Sequence, residues 1–106
     1  MRLSSGFWVR AYLTHLQSAG IPAFVVAKGD AERGDVMVKL NLLDGSARLY
    51  QRLFDLRADR YAWKQVEAGR SDTIDAQLER QNRRDKDLWI IEVEDRDGRA
   101  LLEEFD

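Results

Sequence analysis

Chemistry near neutral pH usually starts from a histidine or a thiol, and this chain has a single histidine, His15, and no cysteine. A histidine acting as general base needs an orienting partner and a cleft. His15 falls instead on the border of the apolar stripe of a helical segment, which reads as a packing position. The missing thiols exclude disulfides, thiol catalysis and cysteine-based zinc sites. Glu92 and Glu94, with Asp95 beside them, come nearest to an acid/base pair, but such a pair works by holding its members in different environments. Strand alternation turns both glutamates to one polar face. Asp95, Asp97, Gly98 and Glu104 match the third, fifth, sixth and twelfth positions of a calcium-binding hand loop. Val93 then occupies the first ligand position with no side-chain oxygen, and the preceding segment reads as a strand where a helix is required. A turn with solvated carboxylates explains the same residues. Gly29 and Gly34 frame a loop whose Asp30 and Glu32 would repel a phosphate, so neither a dinucleotide fingerprint nor a P-loop is present. No catalytic residue, metal site or cofactor is expected.

Aromatic and basic residues offer binding rather than reaction. Trp8 and Trp89 lie in strongly apolar patterns and are expected in the core; Trp63, beside Tyr61 and Lys64 on a weaker strand, is the one of the three for which partial exposure is the open alternative, with burial favoured. Val36 to Leu43 and Ser46 to Phe54 flank Asp44-Gly45, a pair that favours a two-residue hairpin turn. That turn would set Leu42 against Ala47, Leu40 against Leu49, Val38 against Gln51 and Val36 against Leu53 on the core side. Lys39, Asn41, Arg48, Tyr50 and Arg52 would then share the outer, wet face. Such a face could contact a protein, a second copy of the chain or RNA. Solvation and a Lys39 to Tyr50 cross-strand pair account for it equally well.

The elements that must carry these residues are easier to read. Ser4 or Ser5 can cap a helix on which Trp8, Val9, Tyr12, Leu13, Leu16 and Ala19 share one stripe, and Gly20-Ile21-Pro22 ends it. Ala23 to Ala27 reads as a strand with Pro22 at an edge or entry position. After the hairpin and the charged connection Asp55 to Arg60, Tyr61 to Glu67 reads as a further strand. Ser71-Asp72-Thr73 opens a second helix to about Arg84, which should lie on the surface because only Ile74 and Leu78 form an apolar contact. Leu88 to Glu94 is the last strand, and its apolar start should be covered on both faces. A hairpin at Asp97-Gly98 would oppose Glu92 to Glu103, so the tail Ala100 to Asp106 is expected to leave the sheet or form one helical turn.

Composition sets the outer bounds. A length of 106 residues suits a single domain, residues 1–106, and 44% hydrophobic with 34% charged residues suits a globular chain with a real core. Seventeen basic against nineteen acidic residues give a net charge of -2, so no global field draws the chain to nucleic acid or an anionic membrane. No segment approaches the ~20 apolar residues of a membrane span, and the N-terminus lacks a signal-like apolar run. A cytoplasmic location is the default expectation.

The closing run, Asp87-Leu88-Trp89-Ile90-Ile91-Glu92-Val93-Glu94-Asp95-Arg96-Asp97-Gly98-Arg99, with the early Trp8-Val9 and the element order, resembles a small bacterial family, domain of unknown function 1491. The likeness spans essentially the whole chain. Where that family commonly has a proline before the tryptophan, this chain has Lys86, which loosens the turn without changing the fold. The resemblance implies a compact bacterial α+β domain and brings with it no activity, ligand or catalytic residue to carry over. The expected architecture is a mainly antiparallel sheet of about five strands with two helices on one face, in the order α-β-β-β-β-α-β. The expected role is a non-catalytic interaction or regulatory module that binds a protein or another copy of itself through the outer face or a sheet edge. Nucleic-acid binding through the basic hairpin face is the alternative.

Overall fold

The computed structural model describes residues 3–105. Met1, Arg2 and Asp106, and the side chain of Glu104 at the twelfth position of the calcium-like spacing, lie outside the described residues. Helix α1 spans Ser5–Ser18, opened by the Ser4 hydroxyl, which accepts from the Phe7 N–H at 3.3 Å. Strands β1 (Ala23–Ala27), β2 (Val36–Asn41), β3 (Ser46–Asp55) and β4 (Arg60–Arg70) follow, then helix α2 (Ser71–Arg84) and strand β5 (Trp89–Glu94). The tail leaves the sheet and ends in one helical turn, α3 (Leu102–Phe105).

The five strands form one sheet in the order β1-β5-β2-β3-β4. Pairing is antiparallel except between β2 and β5, which run parallel, so the sheet is mixed. The α+β class and strand count match the sequence expectation. The placement of the helices does not, because α1 and α2 cover opposite faces. Val9, Tyr12 and Leu16 of α1 pack with Val38, Leu40, Trp89, Ile91 and Val93, whereas Ile74 and Leu78 of α2 pack with Met37, Ala47, Leu49, Leu88 and Ile90. The physical reason lies in β2 and β5, whose buried side chains alternate to both sides and need a cover on each.

The second correction is the hairpin register. Leu42 donates to the Ser46 carbonyl at 3.0 Å, so three residues, Leu43-Asp44-Gly45, form the loop instead of two. Asn41 Oδ1 accepts from the Leu43 N–H and Asp44 Oδ1 from the Ser46 N–H, both at 2.9 Å, and Leu43 (φ 62°) and Gly45 (φ 90°) both adopt left-handed conformations. These side-chain bonds favour the longer loop over the two-residue turn. Leu40 therefore faces Arg48, Lys39 faces Leu49 and Val38 faces Tyr50. A slip of one residue sends the two strands' partners to the other side.

The loop between β1 and β2 is clamped from two directions. Asp30 N–H donates to the Asp87 carbonyl at 3.0 Å, and the Trp89 indole donates to the Asp30 carbonyl at 2.7 Å. A Cβ on Gly29 or Gly34 would sit 2.1 or 2.0 Å from the Asp87 oxygen, so only glycine allows this approach. On the other side, Gly6 N–H donates to the Ala31 carbonyl at 2.8 Å and the Ser5 hydroxyl to the Gly34 carbonyl at 2.6 Å. The tail is held by the buried Tyr12 hydroxyl, which donates to the Ala100 carbonyl at 2.7 Å; burial pushes that phenol's pKa above its ordinary value.

Candidate interaction site

The register divides the set expected on one outer face. Arg48, Tyr50 and Arg52 stay together on the α1 side of β3, while Lys39 and Asn41 face α2. Lys39 is 2% exposed, and its Nζ lies 2.6 Å from Asp75 of α2 and 3.3 Å from Glu92 of β5. Asn41 Nδ2 donates to the other Glu92 oxygen at 3.2 Å. This is a bolt between α2 and the sheet, because each buried charge keeps a paired or hydrogen-bonded partner. Tyr50 is half-buried in the α1 core, and Arg48 lays its guanidinium against Gly98.

Of the carboxylates considered for acid/base work, Glu92 and Asp95 are tied into structural contacts. Glu92 is committed to Lys39 and Asn41 on the α2 side, whereas His15 packs 5.4 Å from Phe105 on the α1 side. The sheet stands between them. Asp95 is buried and accepts from the Arg99 backbone N–H at 2.7 Å and from Nε and Nη2 at 3.0 Å. The side-chain bonds from Arg99, joined by its backbone N–H, hold the Asp95 carboxyl below the usual carboxylate range. Among the described residues, no group of three histidines or carboxylates is placed to hold a metal.

What the geometry assembles instead is an aromatic groove. β3 and β4 extend past the start of β2, so Arg52 to Asp55 and Arg60 to Trp63 pair only with each other. This overhanging ribbon faces the N-terminal part of α1 and the clamped loop across a groove of about 320 Å³. Trp8 and Trp63 stack in it at 5.3 Å, and Phe105 closes one end with its ring 5.5 Å from Trp8. On the ribbon, Phe54 and Tyr61 meet edge to face at 5.3 Å, and the Arg52 guanidinium lies 5.4 Å from the Tyr61 ring centre. Glu32, Arg33 and Asp35 give the groove a mixed charged rim. The ribbon's own loop is well bonded: Asp55 accepts from the Arg57 and Ala58 N–H groups and from Lys64, and these bonds, the Lys64 one foremost, lower its pKa. Trp89 is buried in the core as expected; Trp8 and Trp63 are half-buried at the groove.

The exposed apolar residues Phe54 and Leu56 at the end of the ribbon, and Phe105 at the groove, were not singled out by the sequence pattern. The signal for the first two was the length of β3 and β4 relative to β2, which makes the end of the longer pair overhang. For Phe105 no signal existed, because only the tail's return over α1 brings it to Trp8.

A mixed sheet covered by one helix on each face, carrying an aromatic groove, defines a small α+β domain. A family model described as a protein of unknown function (DUF1491) matches residues 3–103, and the chain belongs to that family. It is similar to a DUF1491 family protein from Caulobacter crescentus CB15, known from a crystal structure (38% identity, TM-score 0.82) and an NMR structure (38%, 0.81). Each comparison covers 96% of this chain and 94% of that one. A protein from A. tumefaciens solved in solution is similar at 35% identity and TM-score 0.73, over 89% of this chain and 86% of that one. Among curated proteins no match to the chain is found. No described helix is long and apolar enough to cross a membrane.

Proposed function

We propose that this chain is a non-catalytic interaction module that grips an apolar segment of a protein partner in the groove between α1 and the overhanging ribbon. The observation that carries this reading is the ribbon itself, on which Phe54, Leu56 and Tyr61 are 45%, 87% and 52% exposed. A two-stranded ribbon is marginally stable alone, and clustered exposed apolar side chains commonly mark a binding surface. Nucleic-acid binding has less support, because the basic groups it needs are divided between two faces and Lys39 is neutralised by two carboxylates.

Capture from a cell extract tests this reading. The wild-type chain and a Glu79→Ser control on the exposed side of α2 should retain a partner that a Phe54→Ser/Tyr61→Ser double variant loses, with all three folded by circular dichroism. Equal capture by all three, or none by any, refutes it.

A further inference from the structure

The sheet has two outer edges, and they are built differently. β4 carries Arg60, Lys64, Glu67 and Arg70 along its length, which is how exposed edges are kept from pairing. β1 reads Ala23-Phe24-Val25-Val26-Ala27, with no charge, and Phe24 and Val26 are about half exposed. Its backbone is also aimed outward. Pro22 accepts from the Glu94 N–H at 2.9 Å, and the antiparallel ladder continues through Phe24 opposite Glu92. The alternation of that ladder turns the N–H and C=O groups of Ala23 and Val25 away from β5.

We propose that two copies of this chain join along β1, antiparallel about a twofold axis at Phe24, to make a continuous sheet across the pair. The register is selected by the groups available. Setting Ala23 opposite Val25 of the second copy uses every outward N–H and C=O before the bulge at Val26, forming four hydrogen bonds. Moving toward the N-terminus would oppose Val25 to Ile21, whose N–H already donates to the Leu16 carbonyl. Moving toward the C-terminus would run the pairing into the bulge. In the selected register the two Phe24 rings meet on the part of the α2 face that α2, lying over β3 and β4, leaves open.

The absence of native cysteine gives a clean test. Residues at the twofold centre form a non-hydrogen-bonded pair with Cα atoms about 4.5 Å apart, within the span of a disulfide. Under mild oxidation Phe24→Cys should become a disulfide-linked dimer, while Val66→Cys on the other edge stays monomeric. In parallel, sedimentation of the full wild-type chain should show its mass doubling with concentration, and Phe24→Lys should weaken that association at least about tenfold. A wild-type chain monomeric at every concentration, or equal cross-linking from positions 24 and 66, overturns the pairing. The first of these results would leave the edge to a strand from a different protein.

Discussion

Replacing Lys39 by methionine keeps the buried stem and removes the ammonium, so it isolates the electrostatic part of the bolt between α2 and the sheet. Glu92, whose side chain is 14% exposed, loses its cation and keeps only Asn41, whereas Asp75, 54% exposed, falls back into water. Removing one partner of a fully enclosed pair costs about 3–5 kcal/mol, and an exposed pair is worth about 0–1 kcal/mol. Lys39 touches one partner of each kind, which sets the expected loss at roughly 2–3 kcal/mol. For a domain of this size that corresponds to a Tm lower by about 10–20 °C. A Lys39→Met/Glu92→Leu double variant removes both enclosed charges and should return to within about 1 kcal/mol of wild type. Urea unfolding followed by tryptophan fluorescence measures all three chains. A Lys39→Met change smaller than about 0.5 kcal/mol, the scale of ordinary surface substitutions, would refute the reasoning. The ammonium would then be in solvent, as the two-residue turn requires.

Gly34→Ala should destabilise the chain by at least about 1–3 kcal/mol and shift Trp89 fluorescence, because its Cβ collides with the Asp87 carbonyl that helps clamp the loop. Gly69→Ala, which meets nothing within 4 Å, should be near neutral in the same unfolding assay. Asp95 has a lowered pKa in the folded chain, so its contribution to stability is complete above about pH 4 and is lost as pH falls through the lowered value. Asp95→Asn should therefore destabilise the chain at neutral pH and flatten the acid limb of a stability-versus-pH curve.

Helix limits were legible in the sequence because their signals are local. Ser4 caps α1 and α2 ends at Arg84, both from neighbouring residues. The covered start of β5 was legible too, since Leu88-Trp89-Ile90-Ile91 leaves no polar face. The hairpin register was not, because it depends on Asn41 and Asp44 bonding to backbone two residues on, which the Asp-Gly pair masks. Lys39 was misplaced with it. Its setting between Val38 and Leu40 was a clue to burial, but its partners lie far along the chain at Asp75 and Glu92. The alternation of β2 suggests one wet face and hence both helices on the other, but the buried Met37 and Lys39 give its second face a need for α2 as a cover. The groove was hardly visible, since the pattern around Trp63 favours burial over exposure. Its shape comes from strand overhang and from the return of Phe105, neither of which leaves a local pattern.

The binding role of the groove is tested most directly by placing a photo-cross-linking residue at position 61 of the ribbon, with position 79 on the exposed side of α2 as the comparison. The groove account predicts a discrete protein adduct from position 61 and none from position 79. Adducts from both positions alike, or none from position 61, would contradict it.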